Sequence, residues 1–508
     1  MDNILAAIHG HLISIITFLP LLGIVVLFFI NREKINLIRG IGVGFSAVCL
    51  LLSIWMLSEY SNATAAMQFQ EGPYAWIPFI NANFHLGVDG LSFPLFILTT
   101  LLSFLAAIAS FSVKQKVKDY YILYLLLMTG MLGVFVSLDL VLFYVFWEVV
   151  LVPMYFLIGI WGGERREYAA IKFFLYTLLG SVVMLLGILA LYFYPKPGGG
   201  IMGSFSIPEL IAAAQAGVFD QTFQILIFLA FFLGFAIKVP IFPFHTWLPD
   251  AHVEAPTAIS VLLAGVLLKM GGYGFIRISY GIAPGAGAWE YFRWGMAALG
   301  LINIVYGALV AMAQKDFKKL IAYSSVSHMG FVLLGIAAAN PEGYTGAVLQ
   351  MFNHGIITGA LFLLVGVLYD RAHTREINAF GGLAKKVPIY AGIVWFTFLA
   401  SLGLPGLAGF VSEFLCFIGS FKVYTWMVAL STFGIIVTAS YFLWTIQRMF
   451  LGPFNTKWAG LTDINGRELV TLIPLMALAL LLGVYPSLLI DMMTPTMNYL
   501  VSLTHVVF

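Results

Sequence analysis

Charged side chains interrupt several long apolar stretches of this sequence. Lys238 lies in the run QILIFLAFFLGFAIKVPIFPF (224–244), and Lys269 lies in TAISVLLAGVLLKMGGYGF (257–275). Glu148 and Glu413 occupy comparable apolar surroundings, within 140–160 and 404–418. A charge at the centre of a bilayer costs about 2.5–3.5 kcal/mol even on lenient insertion scales, so such a residue is a functional candidate. Charged groups of both signs predict a path for protons or other ions.

Two histidines extend this set. His328 in SSVSHMGF and His354 in QMFNHGIITG each lie roughly 15 Å from one end of an apolar stretch, at about 1.5 Å per helical residue. That depth is close to the midplane of a hydrocarbon core about 30 Å thick. An imidazole titrates near neutral pH and can pass a proton between its two ring nitrogens. A buried acid–amine pair can load or release a proton when its separation changes, so the pattern indicates proton traffic.

Plainer interpretations stand beside this one. Glu148 and Lys238 could form a static ion pair, although that would leave the second buried lysine unexplained. His85, His245 and His252 lie near predicted helix ends, and we interpret them as packing residues whose hydrogen bonds are satisfied. A purely structural membrane scaffold would have no need of buried lysines.

The composition identifies the broad class of protein. The 508 residues are 61% hydrophobic and 9% charged, whereas soluble globular chains carry about 25% charged residues. The net charge of +2 gives no reason to expect a nucleic-acid partner. Cys49 and Cys416 both lie in apolar runs and predict neither a disulfide framework nor a metal cluster. The first apolar segment predicts a signal anchor that stays in the mature protein.

Membrane spans were located as stretches of about 20 mostly apolar residues. The sequence predicts an all-α polytopic membrane protein with about fourteen transmembrane helices. The seventh is interrupted by Pro240 and Pro243, and the twelfth by Pro405 with its flanking glycines. The predicted spans are 11–30, 38–58, 90–112, 120–138, 140–161, 168–194, 223–247, 257–281, 294–313, 318–339, 343–369, 388–421, 427–450 and 469–490.

Positive charges orient these spans. With the N-terminus outside, 19 of the 25 Lys and Arg residues fall on the cytoplasmic side. The positive-inside rule expects such a bias. Fourteen spans then place both termini on the periplasmic side of a bacterial inner (plasma) membrane. The longest extramembrane pieces, 59–88 and 195–222, both lie on the outer side; the first is rich in aromatic residues, and 207–217 is a short amphipathic candidate helix.

The two interrupted spans suggest internal symmetry. Matching interruptions in two halves of a transporter indicate a site built from inverted repeats. The twelfth span comes five after the seventh, which predicts inverted five-helix repeats made of helices 4–8 and 9–13. The whole chain forms one integral membrane domain: three N-terminal helices in 1–119, repeats at 120–281 and 294–450, and a final helix at 469–490. The alternative is that the prolines simply kink two helices.

Several motifs resemble a known family. AIKVPIFPFHTWLPDAHVEAPT (236–257), followed by VLLKMGGYG (266–274), resembles the antiporter-like subunits of respiratory complex I and of multi-subunit cation/proton antiporters. FYVFWEVVLVPMYFLIGIWGGERR (143–166), DFKKLIAYSSVSHMG (316–330) and GLPGLAGFVSEF (403–414) resemble the M-type branch, the counterpart of the mitochondrial fourth subunit. Glu413 favours the M-type branch, because the L-type and N-type branches carry lysine there. The resemblance covers nearly the whole chain.

The resemblance implies roles for these residues. Glu148 and Lys238 would be a coupled ion pair, and Lys172 would tune it. Lys269 would be the central relay. The remaining positions would lead to the outer side, through His328 and His354 to a terminal Glu413.

The resemblance also implies a place in a larger assembly. The favoured function is that of a proton-translocating membrane-arm subunit of NADH:quinone oxidoreductase, beside L-type and N-type neighbours. The chain would carry no cofactor of its own, and FMN, iron–sulfur clusters and quinone would belong to other subunits. The alternatives are a subunit of a stand-alone cation/proton antiporter and the M-like subunit of a photosynthetic ferredoxin-dependent complex.

Overall fold

A computed structural model describes residues 10–196, 199–283 and 288–504, with backbone alone for 288–290. The described residues form helices almost throughout, together with one β-hairpin. The elements of the first half are α1 (Leu12–Phe29), α2 (Ile35–Glu59), β1 (Gln68–Ile77), β2 (Ala82–Val88), α3 (Ser92–Ala109), α4 (Val117–Val136), α5 (Leu140–Trp161), α6 (Arg166–Phe193), α7 (Ile207–Gln215), α8 (Gln221–Lys238), α9 (Trp247–Glu254) and α10 (Thr257–Ile282).

The second half is helical wherever it is regular. Its elements are α11 (Ala288–Met312), α12 (Phe317–Ala338), α13 (Pro341–Ala372), α14 (Pro388–Ser401), α15 (Ala408–Phe450), α16 (Gly466–Val484) and α17 (Ser487–Ser502).

The predicted all-helical membrane architecture is confirmed. Within the described ranges, 13 helices are long and apolar enough to cross a membrane. The 43-residue α15 has non-helical backbone angles at Tyr424, which divide it in two. Its first part continues the shorter α14 as the predicted twelfth span, and its second part is the predicted thirteenth span. The fourteen-span pattern is therefore retained. The boundary between the twelfth and thirteenth spans is the kink at Tyr424 within α15.

The seventh predicted span is broken as expected, although it is longer than predicted. α8 ends at Lys238, and the chain resumes as α9, which continues to Glu254, well beyond the predicted limit at 247. Backbone groups freed by a break in a membrane must be satisfied by protein or by water. Asn303 of α11 does this, because its side chain accepts from the Phe242 nitrogen at 2.9 Å and donates to the Pro240 carbonyl at 3.1 Å.

The second break separates α14 from α15. Gly403 and Gly406 have φ of +80° and +92°, a region that side chains other than glycine rarely adopt. One broken helix thus lies in each half of the chain, while the inverted five-helix repeat remains a prediction.

Three helices, α10, α12 and α13, are buried along almost their whole length. A helix that is apolar all round belongs in the protein interior. The remaining long helices surround these three and expose apolar side chains outwards, for example Leu51, Leu186 and Ile436. The three central helices carry Lys269, His328 and His354, which places these residues away from the lipid.

The outer segments fold over the ends of the helices. Residues 68–88 form the antiparallel hairpin β1–β2, which the sequence did not predict as strands. The predicted amphipathic helix at 207–217 is confirmed as α7. Asp139 caps α5 and also accepts a hydrogen bond from the Asn83 nitrogen at 3.0 Å, so it joins the hairpin to the helical body. After α16, the predicted final helix, the chain forms α17, which the sequence did not distinguish.

Candidate proton-transfer site

The interior contains a row of ionisable side chains that begins at Lys269. The Lys269 ammonium is fully buried, and its Nζ lies 2.6 Å from Nδ1 of His354. Nζ also donates to the Ala264 carbonyl at 2.5 Å. That carbonyl belongs to a π-helical turn, Leu263–Leu267, directly before Lys269. π-Helical turns are rare in proteins, and those that do occur are often found at functional sites.

The row continues from His354 to Glu413. The rings of His354 and His328 have centroids 5.7 Å apart. Nδ1 of His328 lies 2.9 Å from Oε1 of Glu413, and both side chains are buried. Four residues that are widely separated in the sequence are therefore brought into one line across α10, α13, α12 and α15.

Neutral polar groups hold this line in place. Gln350 donates to Oε1 of Glu413 at 3.4 Å and accepts from the Ser412 hydroxyl at 2.5 Å. The Ser401 hydroxyl lies 3.2 Å from Nε2 of His328, so both nitrogens of that ring have a partner. A small cavity of about 10 Å³ adjoins His328, His354 and Glu413, about the space that one water molecule needs.

The second helix break positions the acid at the end of the row. A Cβ atom on Gly403 would lie 3.1 Å from Oε2 of Glu413. Gly403 therefore serves two purposes, since it turns the chain at positive φ and leaves space for the carboxylate.

The first half of the chain holds a more loosely connected group. Lys238 is buried at the last residue of α8, with Nζ 5.1 Å from the Trp147 ring centroid and 5.8 Å from that of Phe173. Ammonium–ring contacts at this range are attractive, and more so when desolvated. Glu148 acts on Lys238 electrostatically, but among the described residues no ion pair within 4.0 Å joins the two. The expected coupled pair is therefore a separated pair in this conformation.

Glu148 itself is only half-buried. It lies on α5, next to Trp147, and its Oε1 atom is buried without a hydrogen bond to any described residue. The neighbouring outward positions Val145 and Val152 are 37% and 47% exposed. Glu148 thus borders an outer face of the helical body.

Lys172 has a partner of its own. Its Nζ lies 2.8 Å from Oδ2 of Asp250 on α9, and both side chains are partly exposed. The sequence suggested that Lys172 acts on the Glu148–Lys238 pair. Its direct contact is instead with the second half of the broken helix.

The row that begins at Lys269 and the group around Lys238 come together where α10 crosses the first helix break. A Cβ atom at Gly271, two residues after Lys269, would lie 2.8 Å from the Phe235 carbonyl oxygen and 3.1 Å from the Val239 nitrogen. Only glycine permits this approach of α10 to the end of α8. The two buried lysines therefore belong to helices in direct backbone contact.

Comparison with known proteins decides the family. The family model described as NADH:quinone oxidoreductase/Mrp antiporter, TM, matches residues 137–438. NADH-quinone oxidoreductase subunit M of Rhodobacter capsulatus is 47% identical over 502 residues, covering 97% of each chain. The chain belongs to the subunit M family. NADH-ubiquinone oxidoreductase chain 4 of Marchantia polymorpha is 41% identical, with 99% of each chain covered.

A solved structure agrees with this membership. Respiratory complex I from Thermus thermophilus with bound NADH contains a chain that matches with a TM-score of 0.87 at 32% identity, covering 97% of this chain and 99% of that one. The full-length matches to subunit M support the M-type interpretation over the stand-alone antiporter and the ferredoxin-dependent complex. The resemblance drawn from the motifs is confirmed.

Two histidines of this subunit M family member do not behave as the sequence suggested. His245 and His252 are buried, yet neither ring nitrogen of either residue makes a hydrogen bond to any described residue. Our interpretation of both as satisfied packing residues is wrong. For His85 it is correct, because its Nε2 lies 2.6 Å from Nε2 of Gln70.

Sequence reasoning also missed the polar partners of the row. Asp250 stands in the motif WLPDAHVE, where a charge inside an apolar segment was the available signal. Gln350, Ser401 and Ser412 gave no such signal, since uncharged polar residues are common in membrane helices. Their importance follows only from the contacts that folding creates.

Proposed function

We propose that this chain is the proton-translocating M-type subunit of NADH:quinone oxidoreductase, and that protons pass along Lys269, His354, His328 and Glu413. The observation that supports the proposal is the continuity of this row across three buried helices and the adjoining α15. The amine–imidazole and imidazole–carboxylate pairs are at hydrogen-bond distance, and the two imidazole rings between them have centroids 5.7 Å apart beside a cavity of about 10 Å³.

The second half works as a sequence of short transfers. Lys269 donates its proton to Nδ1 of His354, whose opposite nitrogen, Nε2, is free to release one. An imidazole that accepts at one nitrogen and donates at the other moves a proton across its ring without moving far itself. His328 repeats this step and passes the proton to Glu413, the acid at the outer end of the row.

The first half works as a switch. A buried ammonium is stabilised when an opposite charge approaches and destabilised when that charge withdraws. Lys238 now rests over aromatic rings, and the Glu148 carboxylate is too distant for an ion pair. Closing this pair would hold the proton on Lys238, and opening it would release the proton towards Lys269. The Lys172–Asp250 contact would shift this balance by moving α9.

The redox chemistry belongs elsewhere in the assembly. FMN, iron–sulfur clusters and quinone are assigned to other subunits, and this chain contributes translocation without electron transfer. Its two cysteines, Cys49 and Cys416, lie buried on α2 and α15. Thiolates that ligate a cluster must converge on one site, and these two lie on separate helices.

Neighbouring L-type and N-type subunits would flank this chain in a bacterial inner membrane. The half-exposed Glu148 supports one such contact, since a carboxylate that borders an apolar outer face is better covered by protein than by lipid. The strong concentration of Lys and Arg on one side supports periplasmic termini.

The test uses the assembled complex in proteoliposomes, with NADH oxidation and the proton gradient measured together. Glu148→Gln removes the switching charge and is expected to lower pumping at least about tenfold, within the range of proton-transfer residues. Glu148→Asp keeps the charge and should be milder. Glu342→Gln is the matched control, because that carboxylate pairs with Lys422 at 2.5 Å on the exposed surface. Wild-type pumping by the Glu148→Gln complex would refute the switch.

A further inference from the structure

A cavity of about 700 Å³ opens at the basic end of the molecule. We call it the vestibule. Its walls come from residues 161–165 after α5, 253–257 after α9, 315–318 at the start of α12, and 365–376 at the end of α13. The lining is rich in charged groups, including Glu164, Lys315 and Asp370, so water can occupy it. No residue of the relay described above opens into this space.

Lys318 forms the floor of the vestibule. The residue is 4% exposed, and its Nζ donates to the Ala255 carbonyl at 2.5 Å and more weakly to the Val253 carbonyl at 3.5 Å. Within the described residues, no carboxylate lies within 4.0 Å of this ammonium. The nearby Asp316 is already paired with Arg375 at 3.1 Å. Lys318 is therefore a buried amine without a carboxylate partner among the described residues, and it lines the vestibule.

His252 belongs to the same turn of α9 that Lys318 binds, since Lys318 donates to the carbonyl of the next residue, Val253. His252 is fully buried and has no hydrogen-bond partner for either ring nitrogen among the described residues. Buried polar groups are nearly always paired, so an unpaired imidazole requires an explanation. Lys318 and Lys269 are the charged groups that act electrostatically on His252.

His252 also faces the helix that carries His354. Its ring stacks on Phe362 of α13, with centroids 4.4 Å apart and planes inclined by 11°. Phe362 is eight residues, about 12 Å along the helix, from His354. The imidazole is thus held by stacking rather than by hydrogen bonds, which leaves both nitrogens free to exchange protons.

We propose that the vestibule is the proton-uptake mouth of this subunit, with Lys318 as the acceptor at its floor and His252 as the group that delivers protons to Lys269. A proton from water in the vestibule binds the neutral amine of Lys318. The ammonium then gives one proton to a nitrogen of His252, and the opposite nitrogen gives one to the neutral amine of Lys269. One proton moves inwards: Lys318 and His252 are back in their starting states, and Lys269 returns to its neutral amine when it passes the proton to His354.

The proposal rests on the proposed function, and it has a structural competitor. Lys318 binds carbonyls at the C-terminal end of α9, where a fixed cation also stabilises a helix. Lys318→Arg separates the two roles, because arginine keeps the cation and its donors but does not release a proton in proteins. Lys318→Met removes both. Lys386→Gln, at an exposed lysine outside the lining of the vestibule, is the matched control.

The experiment measures the rate of proton pumping and the rate of NADH oxidation by each assembled complex in proteoliposomes. Uptake through Lys318 predicts that the arginine and methionine variants both lose pumping about tenfold or more, while Lys386→Gln retains it. Normal pumping by the arginine variant would show that Lys318 is only a cap and would overturn the proposal. If neither Lys318 variant assembles, His252→Gln decides, and wild-type pumping by that variant would overturn the delivery step.

Lys269→Met distinguishes this result from a failure of the proposed function. Loss of pumping in Lys269→Met with normal pumping in Lys318→Arg would reject the vestibule alone. Normal pumping in Lys269→Met would reject the relay, and the vestibule proposal with it.

Discussion

At the scale of single residues, the row depends on side chains that each have a partner of a different chemical type. Lys269 contacts an imidazole, and Glu413 contacts another. Such groups are costly inside a membrane unless they are paired. The pairs therefore hold each group at mid-membrane depth and also provide the next acceptor along the path.

The Lys172–Asp250 contact gives the first prediction at this scale. Asp250→Asn removes the anionic partner of Lys172, whose pair is partly exposed and hence screened by water. We expect pumping to fall only a few-fold, in contrast to the larger loss from Glu148→Gln, with assembly unchanged. Asp119→Asn, which removes the partner of Arg32 at 3.6 Å on the surface, is the control. A loss as complete as that of Glu148→Gln would place Asp250 in the transfer path itself.

The row was predictable because its ionisable residues stand out in apolar sequence. That signal identifies four candidate proton-transfer residues, which folding brings together: Lys269, His328, His354 and Glu413. The separation of Glu148 from Lys238 was not predictable, since it depends on side-chain positions around Trp147.

At the scale of elements, each of the two helix breaks interrupts the helical hydrogen bonds, and a different local feature accommodates each break. Asn303 supports the first break, and two glycines at positive φ shape the second. Prolines in the sequence predicted where the helices would break. They did not predict that α9 would extend to Glu254 or that His252 would be left unpaired, because those facts depend on how α9 packs against α12 and α13.

Gly403 gives the prediction at this scale. Gly403→Ala places a side chain at φ +80° and a Cβ atom 3.1 Å from Oε2 of Glu413. The strain alone should cost about 1–2 kcal/mol, and the displaced carboxylate should slow pumping several-fold. Gly392→Ala is the control, since that Cβ atom would have no neighbour within 4 Å. Thermal unfolding of the purified complex and proton pumping would be measured for both. Equal behaviour of the two variants would contradict the role given to Gly403.

At the scale of the whole molecule, the buried helices α10, α12 and α13 form the interior through which we propose that protons pass, and the other long helices surround it. The sequence did not predict the extramembrane hairpin or α17. The hairpin strands do not show a regular alternation of buried and exposed residues, and α17 follows α16 after a break of two residues. A search for apolar stretches of spanning length has no means to detect such elements.

The orientation of the chain is a prediction at this scale. Single cysteines at the exposed positions Arg166 and Lys386 should react with an impermeant thiol reagent only from the cytoplasmic side, and one at Lys422 only from the periplasmic side. The native Cys49 and Cys416 are buried and should contribute little background. Reaction of the Arg166 and Lys422 positions from the same side would break the fourteen-span arrangement.

The most direct test of the relay is a paired measurement of the rate of proton pumping and the rate of NADH oxidation by a complex that carries Glu413→Ala. The substitution removes the carboxylate that accepts from His328 and Gln350, and it leaves both donors buried without their partner. Glu413→Asp keeps the charge, and Glu342→Gln controls for the loss of a carboxylate. If the row carries protons, the alanine variant assembles but loses pumping and NADH oxidation together, about tenfold or more, while the aspartate variant retains part of both. Full turnover with an undiminished proton gradient in the alanine variant would contradict the account.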